Sequence, residues 1–190
     1  MKLGSTILYQ RIPSFLSWVQ RFVLKTPYSH SSIIAGFMLN NDIELEADIK
    51  VRLHSYGHSD KYRDVYELVD DVTYAVAHDV LVSIRQEFEG ETYGFISWPA
   101  ILIRRIFEIV LPKKYSVKVK GWDILWGWGV ICSELVWYFY KAVADAMIER
   151  GFERWTIFLE ELLTYNPNLF HPKDISYLLN KYNNLFKRRG

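Results

Sequence analysis

Val130-Ile131-Cys132-Ser133-Glu134-Leu135-Val136 is the stretch on which the reading of this chain turns. From there on, Leu135, Val136, Phe139, Val143, Ala146 and Met147 recur at helical spacing on one face. That pattern predicts a helix from Ile131 to about Met147 with its stripe against a core. Gly151 ends it. Cys132 therefore falls at the helix start, where backbone N–H groups have no intrahelical partner and the helix dipole is positive. Both favour thiolate, the nucleophilic form of a cysteine. Cys132 also lies on the apolar stripe, so it points inward. The competing use of such a residue is as a small buried hydrophobe.

A nucleophilic thiol needs a base. His30 opens a predicted strand from His30 to Gly36, and a second strand is expected from Asp42 to Ala47, with Leu39-Asn40-Asn41-Asp42 as the hairpin turn. His30, Ser32 and Ile34 share one face by alternation. An imidazole, with an unperturbed pKa near ~6.5, can take the thiol proton and return it to a leaving group. His54, His58, His78 and His171 compete for that role, and the sequence barely separates the five. His54 and His58 fall in or beside a polar loop expected to be solvated; His78 lies in a helix and His171 before one. Glu44 and Glu46 share a face of the second strand, and Asp48 continues it. A carboxylate there can orient the base through its second ring nitrogen, or simply form a solvent-facing acidic edge.

Outward from these two places, Ser5 to Tyr9 reads as an opening strand. Pro13-Ser14 opens a helical pattern through Phe15, Val19, Phe22 and Val23, which Thr26-Pro27 ends. Lys50 to Tyr56 and Val65 to Val69 read as further strands. Asp71 to Phe88 is predicted helical, with Val72, Ala75, Val76, Val80 and Ile84 on its inner side and Glu89-Gly90 closing it. Ile96 to Leu111 reads as a helix interrupted early by Pro99, and Tyr115 to Val119 as extended. A last helix starts at Pro172, since proline suits the first helical position, and runs through Tyr182. No repeat or Gly/Ser-rich linker divides the chain, and its 190 residues suit one domain, so a single α+β domain over residues 1–190 is expected.

A net charge of +1 gives no electrostatic case for a nucleic-acid partner. Lys187-Arg188-Arg189 is expected to be a short solvated tail. The lone cysteine excludes an intramolecular disulfide framework and a multi-cysteine zinc site, and the pattern calls for no cofactor and no metal. The N-terminus opens no signal-like apolar run, and the longest uncharged stretch, Thr26 to Asn41, falls short of the ~20 apolar residues that span a bilayer. A soluble, reduced, cytoplasmic protein with no transmembrane segment is the expectation. The aromatic share of 16% is high enough that some rings should line a groove or a homo-oligomer contact. Trp122, Trp126 and Trp128 would suit an acyl chain, a core or a contact between copies.

A strand beginning Tyr28-Ser29-His30, a hairpin, Glu44-Leu45-Glu46-Ala47 and a late helix beginning Cys132-Ser133-Glu134-Leu135-Val136 together resemble the circularly permuted papain-like proteins of the NlpC superfamily. The YiiX-like branch looks closest, and the lecithin:retinol acyltransferase group is more distantly similar. The likeness spans about Gly4 to Ile175, and Tyr93-Gly94-Phe95 and His171-Pro172-Lys173-Asp174 add to it. In these families the histidine precedes the cysteine. The resemblance implies a permuted papain-like fold, a small antiparallel sheet packed against helices, with Cys132 as nucleophile, His30 as base and Glu46 as the orienting residue. The implied activity is that of a cysteine peptidase or amidase acting on a peptide-like substrate through a thioester. Two other readings stand beside it: an acyltransferase or thioesterase acting on lipid, and a non-catalytic binding module with a relic site.

Overall fold

The computed structural model describes residues 2–10, 18, 21–22, 25–38, 41–47, 50–57, 63–69, 71–92 and 130–189. Their elements, in chain order, are β1 (Thr6–Tyr9), β2 (His30–Met38), β3 (Asn41–Ala47), β4 (Val51–Gly57), β5 (Arg63–Leu68), α1 (Asp71–Phe88), α2 (Cys132–Glu149), α3 (Arg154–Leu162), a 3-10 turn (Pro167–Leu169), α4 (Pro172–Lys181) and β6 (Phe186–Arg189). The fold is α+β. Trp18, Arg21 and Phe22 are also helical. The rest of the helix expected from Pro13, the Leu39-Asn40 turn, Asp48, His58, and every expectation between Tyr93 and Trp128 lie outside the described residues.

All six strands form one antiparallel sheet in the order β4-β3-β2-β1-β5-β6. Alternation sorts the residues of the inner strands onto two faces. Leu8, Ile33, Leu45, Tyr66 and Leu68 stand on one face and join the main core with α1 and α2. Ile7, Ile34 and Val65 form a smaller apolar cluster on the other. That second face also carries His30, Ser32, Glu44 and Glu46, so it is buried and polar at once.

Helix α2 forms where its periodicity predicts. Leu135, Val136, Phe139, Val143 and Met147 are fully buried, each worth about 1.5–3 kcal/mol of apolar transfer. Three polar contacts then set its pose. Tyr140 Oη meets Thr6 Oγ1 of β1 at 2.6 Å, Trp137 Nε1 donates to the Leu162 carbonyl at 3.1 Å, and Ser133 Oγ donates to the Phe170 carbonyl at 2.5 Å. Gly151, at φ +86°, takes the left-handed conformation that ends the helix. The layers approach closely at Gly4: at φ +77°, a Cβ there would stand 2.8 Å from that of Ala77.

The structure departs from the sequence reading in two places. Lys187-Arg188-Arg189 is not a free tail. Its backbone forms β6, and Arg188 and Arg189 pair with Asp64 at 2.7 Å and Glu67 at 3.1 Å. A basic run looks like a tail until a strand edge with acidic partners lies beside it. In α1, Val76, Val80 and Ile84 face the core as expected, but Ala75 is exposed and Ala77 and Leu81 join the inward stripe instead. His54 sits in strand β4, within the strand expected from Lys50 to Tyr56, and His171, expected before a helix, precedes α4 and is buried.

Candidate active site

Cys132 is the first residue of α2. The chain reaches it through Val130, whose N–H donates to the Thr92 carbonyl at 2.9 Å, while Thr92 bridges Lys50 just before β4. The helix start is thereby tied to the β3–β4 side of the sheet. Glu134 accepts the Ile131 N–H at 3.2 Å and closes the first turn from beneath. The sulfur is almost fully enclosed, at 3% exposure.

His30 is the first residue of β2, at a strand end where a ring can meet the helix start. It hydrogen-bonds the Cys132 thiol. Its Nε2 stands 3.2 Å from Glu46 Oε2, and the Tyr9 ring lies against it at a centroid distance of 5.6 Å. Among the sequence candidates, then, Cys132, His30 and Glu46 come together. His78 is exposed on α1. His171 caps α4, with Nδ1 accepting from the Lys173 N–H at 3.2 Å. His54 reaches the same carboxylate as His30, its Nδ1 lying 3.5 Å from Glu46 Oε1.

Two carboxylates that alternation could not separate have different partners. Glu46 faces His30, His54 and, at 3.9 Å, Arg52 Nε. Glu44 accepts from Tyr9 Oη at 2.5 Å and from the Ser32 hydroxyl, and it lies 3.4 Å from Arg63 Nη1. The same guanidinium meets Asp42 at 3.1 Å. Neither glutamate lines a solvent edge: their exposures are 0% and 1%. The strands pair Glu46 with Arg52 and Glu44 with His54, so Arg52 was findable by charge complementarity once the hairpin register is drawn. Arg63 was not, because β5 reaches this face only through the sheet order.

The electrostatics of the thiol and imidazole oppose burial and overcome it. Burial pulls the His30 pKa down, but the Cys132 thiolate and its hydrogen bond, with Glu46 behind, push it up to about 10. Burial raises the Cys132 pKa, yet the His30 charge and hydrogen bond and the donors of Ser31 bring it below its ordinary value. Both shifts run toward a thiolate–imidazolium pair, and the two groups titrate as a unit. Burial also raises Glu44, against Ser32, Tyr9 and Arg63, and lifts Glu134 to about 7 against its single Ile131 N–H.

Such an arrangement can deliver a thiolate to an electrophilic carbon and hold the displaced proton on an adjacent, oriented imidazolium. Among the described residues, no group of three or more His, Cys, Asp or Glu is gathered to hold a metal ion, and no helix is long and apolar enough to cross a membrane. No family model matches the chain, and no curated protein matches it.

Proposed function

We propose that this chain is a cysteine-dependent hydrolase of the peptidase or amidase type, built on a permuted papain-like fold related to the YiiX-like branch of the NlpC superfamily. The observation that carries the reading is the buried chain of contacts from the Cys132 thiol through His30 to Glu46. The order His30, Glu46, Cys132 along the sequence supports the permuted arrangement.

In the reaction, the Cys132 thiolate attacks the substrate carbonyl and a sulfur–carbon bond forms. The carbonyl π pair moves onto oxygen, and N–H groups at the start of α2 stabilise that charge. With Nε2 engaged by Glu46, Nδ1 of His30 is the nitrogen that gives its proton to the leaving amine. The thioester then forms as the carbon–nitrogen bond breaks. His30, now neutral, takes a proton from water, and the hydroxide equivalent releases the acid and regenerates the thiolate. Glu46 keeps the ring oriented and favours the imidazolium throughout.

The test is acylation by a small activated ester. The sulfur is only 3% exposed, so the probe must be compact. p-Nitrophenyl acetate should acetylate Cys132, with the adduct mapped by peptide mass spectrometry. Cys132→Ser should abolish acetylation at that position, and His30→Ala should slow it by about 100-fold. An unmodified Cys132 after prolonged exposure, in folded protein, would overturn the reading.

A further inference from the structure

The two oxygens of the buried Glu46 carboxylate have different neighbours. Oε2 faces His30 Nε2 at 3.2 Å. Oε1 faces β4, where His54 Nδ1 lies 3.5 Å away and Arg52 Nε 3.9 Å away. The strand register explains why both come from β4. Glu46 is paired with Arg52, and Glu44 with His54. Cross-strand partners share a face, so Arg52 is the direct neighbour of Glu46 and His54 the diagonal one. The side chains of both are 38% exposed, against 1% for Glu46. The inner oxygen thus meets a buried imidazole, and the outer one meets two half-exposed basic side chains. The last torsion of a glutamate is broad, so a contact on one oxygen leaves the carboxylate plane loose. A contact on the second oxygen fixes it. His30 depends on that plane, because its far nitrogen leans on Glu46 while the ring hydrogen-bonds the Cys132 thiol.

We propose that His54 is a positioning residue of this site: by holding Oε1 of Glu46 it keeps Oε2 on His30, and so keeps His30 on the Cys132 thiol. It touches no reacting atom and acts only through the carboxylate. This rests on the cysteine-hydrolase reading above and adds a residue to that same site. Arg52 approaches the same oxygen less closely. Of the other groups near Glu46, His30 is the one being positioned. Glu44, two residues away on β3, is engaged by Tyr9, Ser32 and Arg63. The task therefore falls to β4, and His54 is the β4 residue nearest the oxygen.

Iodoacetamide alkylation of Cys132 reads the thiol–imidazole contact, and a double-mutant cycle shows whether His54 acts through Glu46. His54→Ala should slow alkylation at pH 7 by about 3–5-fold, the range of a half-exposed charged pair, and move its pH inflection upward. His54→Asn, whose amide nitrogen takes the place of Nδ1, should recover alkylation to within about twofold of wild type. Glu46→Gln keeps the size of the buried side chain without its charge. In that background, adding His54→Ala should change the rate by less than about 1.5-fold. A merely structural role would lower urea stability without this dependence on Glu46. Unchanged alkylation in His54→Ala, or equal slowing in the wild-type and Glu46→Gln backgrounds, would overturn the assignment and leave Cys132, His30 and Glu46 in their roles. Acetylation of the wild-type protein by p-nitrophenyl acetate decides the hydrolase reading separately. A Cys132 that alkylates but takes no acetyl group would overturn that reading, while the cycle would still show whether His54 holds Glu46.

Discussion

Two helix starts lie side by side in this molecule, and they finish their first turns differently. In α4 the residue before the helix is His171, whose Nδ1 accepts from the Lys173 N–H at 3.2 Å, and Asp174 accepts the His171 N–H at 3.4 Å. Pro172 has no N–H to satisfy, and the Asp174 and Ile175 N–H groups reach the His171 carbonyl. That turn is closed. In α2 the corresponding residue is Ile131, which has no acceptor. Glu134 takes the Ile131 N–H at 3.2 Å, but no side-chain cap serves the turn. Among the described residues, the N–H groups of Cys132 and Ser133 are left open. The two turns touch through the Ser133 hydroxyl and the Phe170 carbonyl. One start is finished with a cap worth about 1 kcal/mol; the other forgoes it and keeps donors and a positive dipole beside a thiol. The closed turn contributes stability, and the open one leaves its donors available to an acceptor.

The comparison breaks first at His30. The depressed Cys132 pKa is held against burial mainly by the His30 charge and hydrogen bond. His30→Ala should therefore raise the inflection of iodoacetamide alkylation toward the free-thiol value of about 8.5 and slow the reaction at pH 7 by about 30–100-fold. An unchanged pH profile would mean that the open helix start alone sets the reactivity.

His171→Ala tests the closed turn. It removes a buried ring and a cap together, so urea denaturation should report a loss of about 2–3 kcal/mol. The alkylation inflection of Cys132 should stay where it is. If the thiol responds as strongly as stability does, the two turns are one unit and the contrast between them is lost.

Glu134 sharpens the contrast most. Its folded pKa of about 7 lies above its ordinary 4.5 because burial outweighs the single Ile131 N–H. A raised carboxyl pKa favours the folded state fully below the unfolded value, and that advantage is lost as pH rises from about 4.5 through about 7. Glu134→Gln retains an acceptor for Ile131 without the charge. Its stability relative to wild type should therefore improve by about 3 kcal/mol between pH 4.5 and pH 8. Parallel stability curves for the two proteins would show that Glu134 ionises without penalty.

Much of this was legible in the chain because it is local. Period 3.6 marked α2 and put Cys132 at its start, and the bounds of α1 followed from its flanking signals, as did the inward placing of Val76, Val80 and Ile84 though not of Ala75. Period 2 put His30 with Ser32 and Glu44 with Glu46 on shared strand faces, as the pairing of β2 and β3 also has it. Backbone geometry imposes those periods whatever the rest of the chain does.

Other features depend on which distant segments meet. Five histidines looked alike in sequence, but only the packing of α2 against the start of β2 brings one of them to the thiol, and only the β3–β4 register brings His54 to the same carboxylate. Alternation left Glu44 and Glu46 interchangeable, with the resemblance alone favouring Glu46, and their environments differ because Arg63 arrives from β5 on one side and Arg52 from β4 on the other. The basic C-terminal run became β6 for the same reason, through the open edge of β5 and its acidic residues. By itself the sequence determined the elements, the position of the cysteine and the faces of the strands. The tertiary structure decided which groups share a buried environment, because burial and charge pairing depend on all the elements around a group and not on its neighbours in the chain.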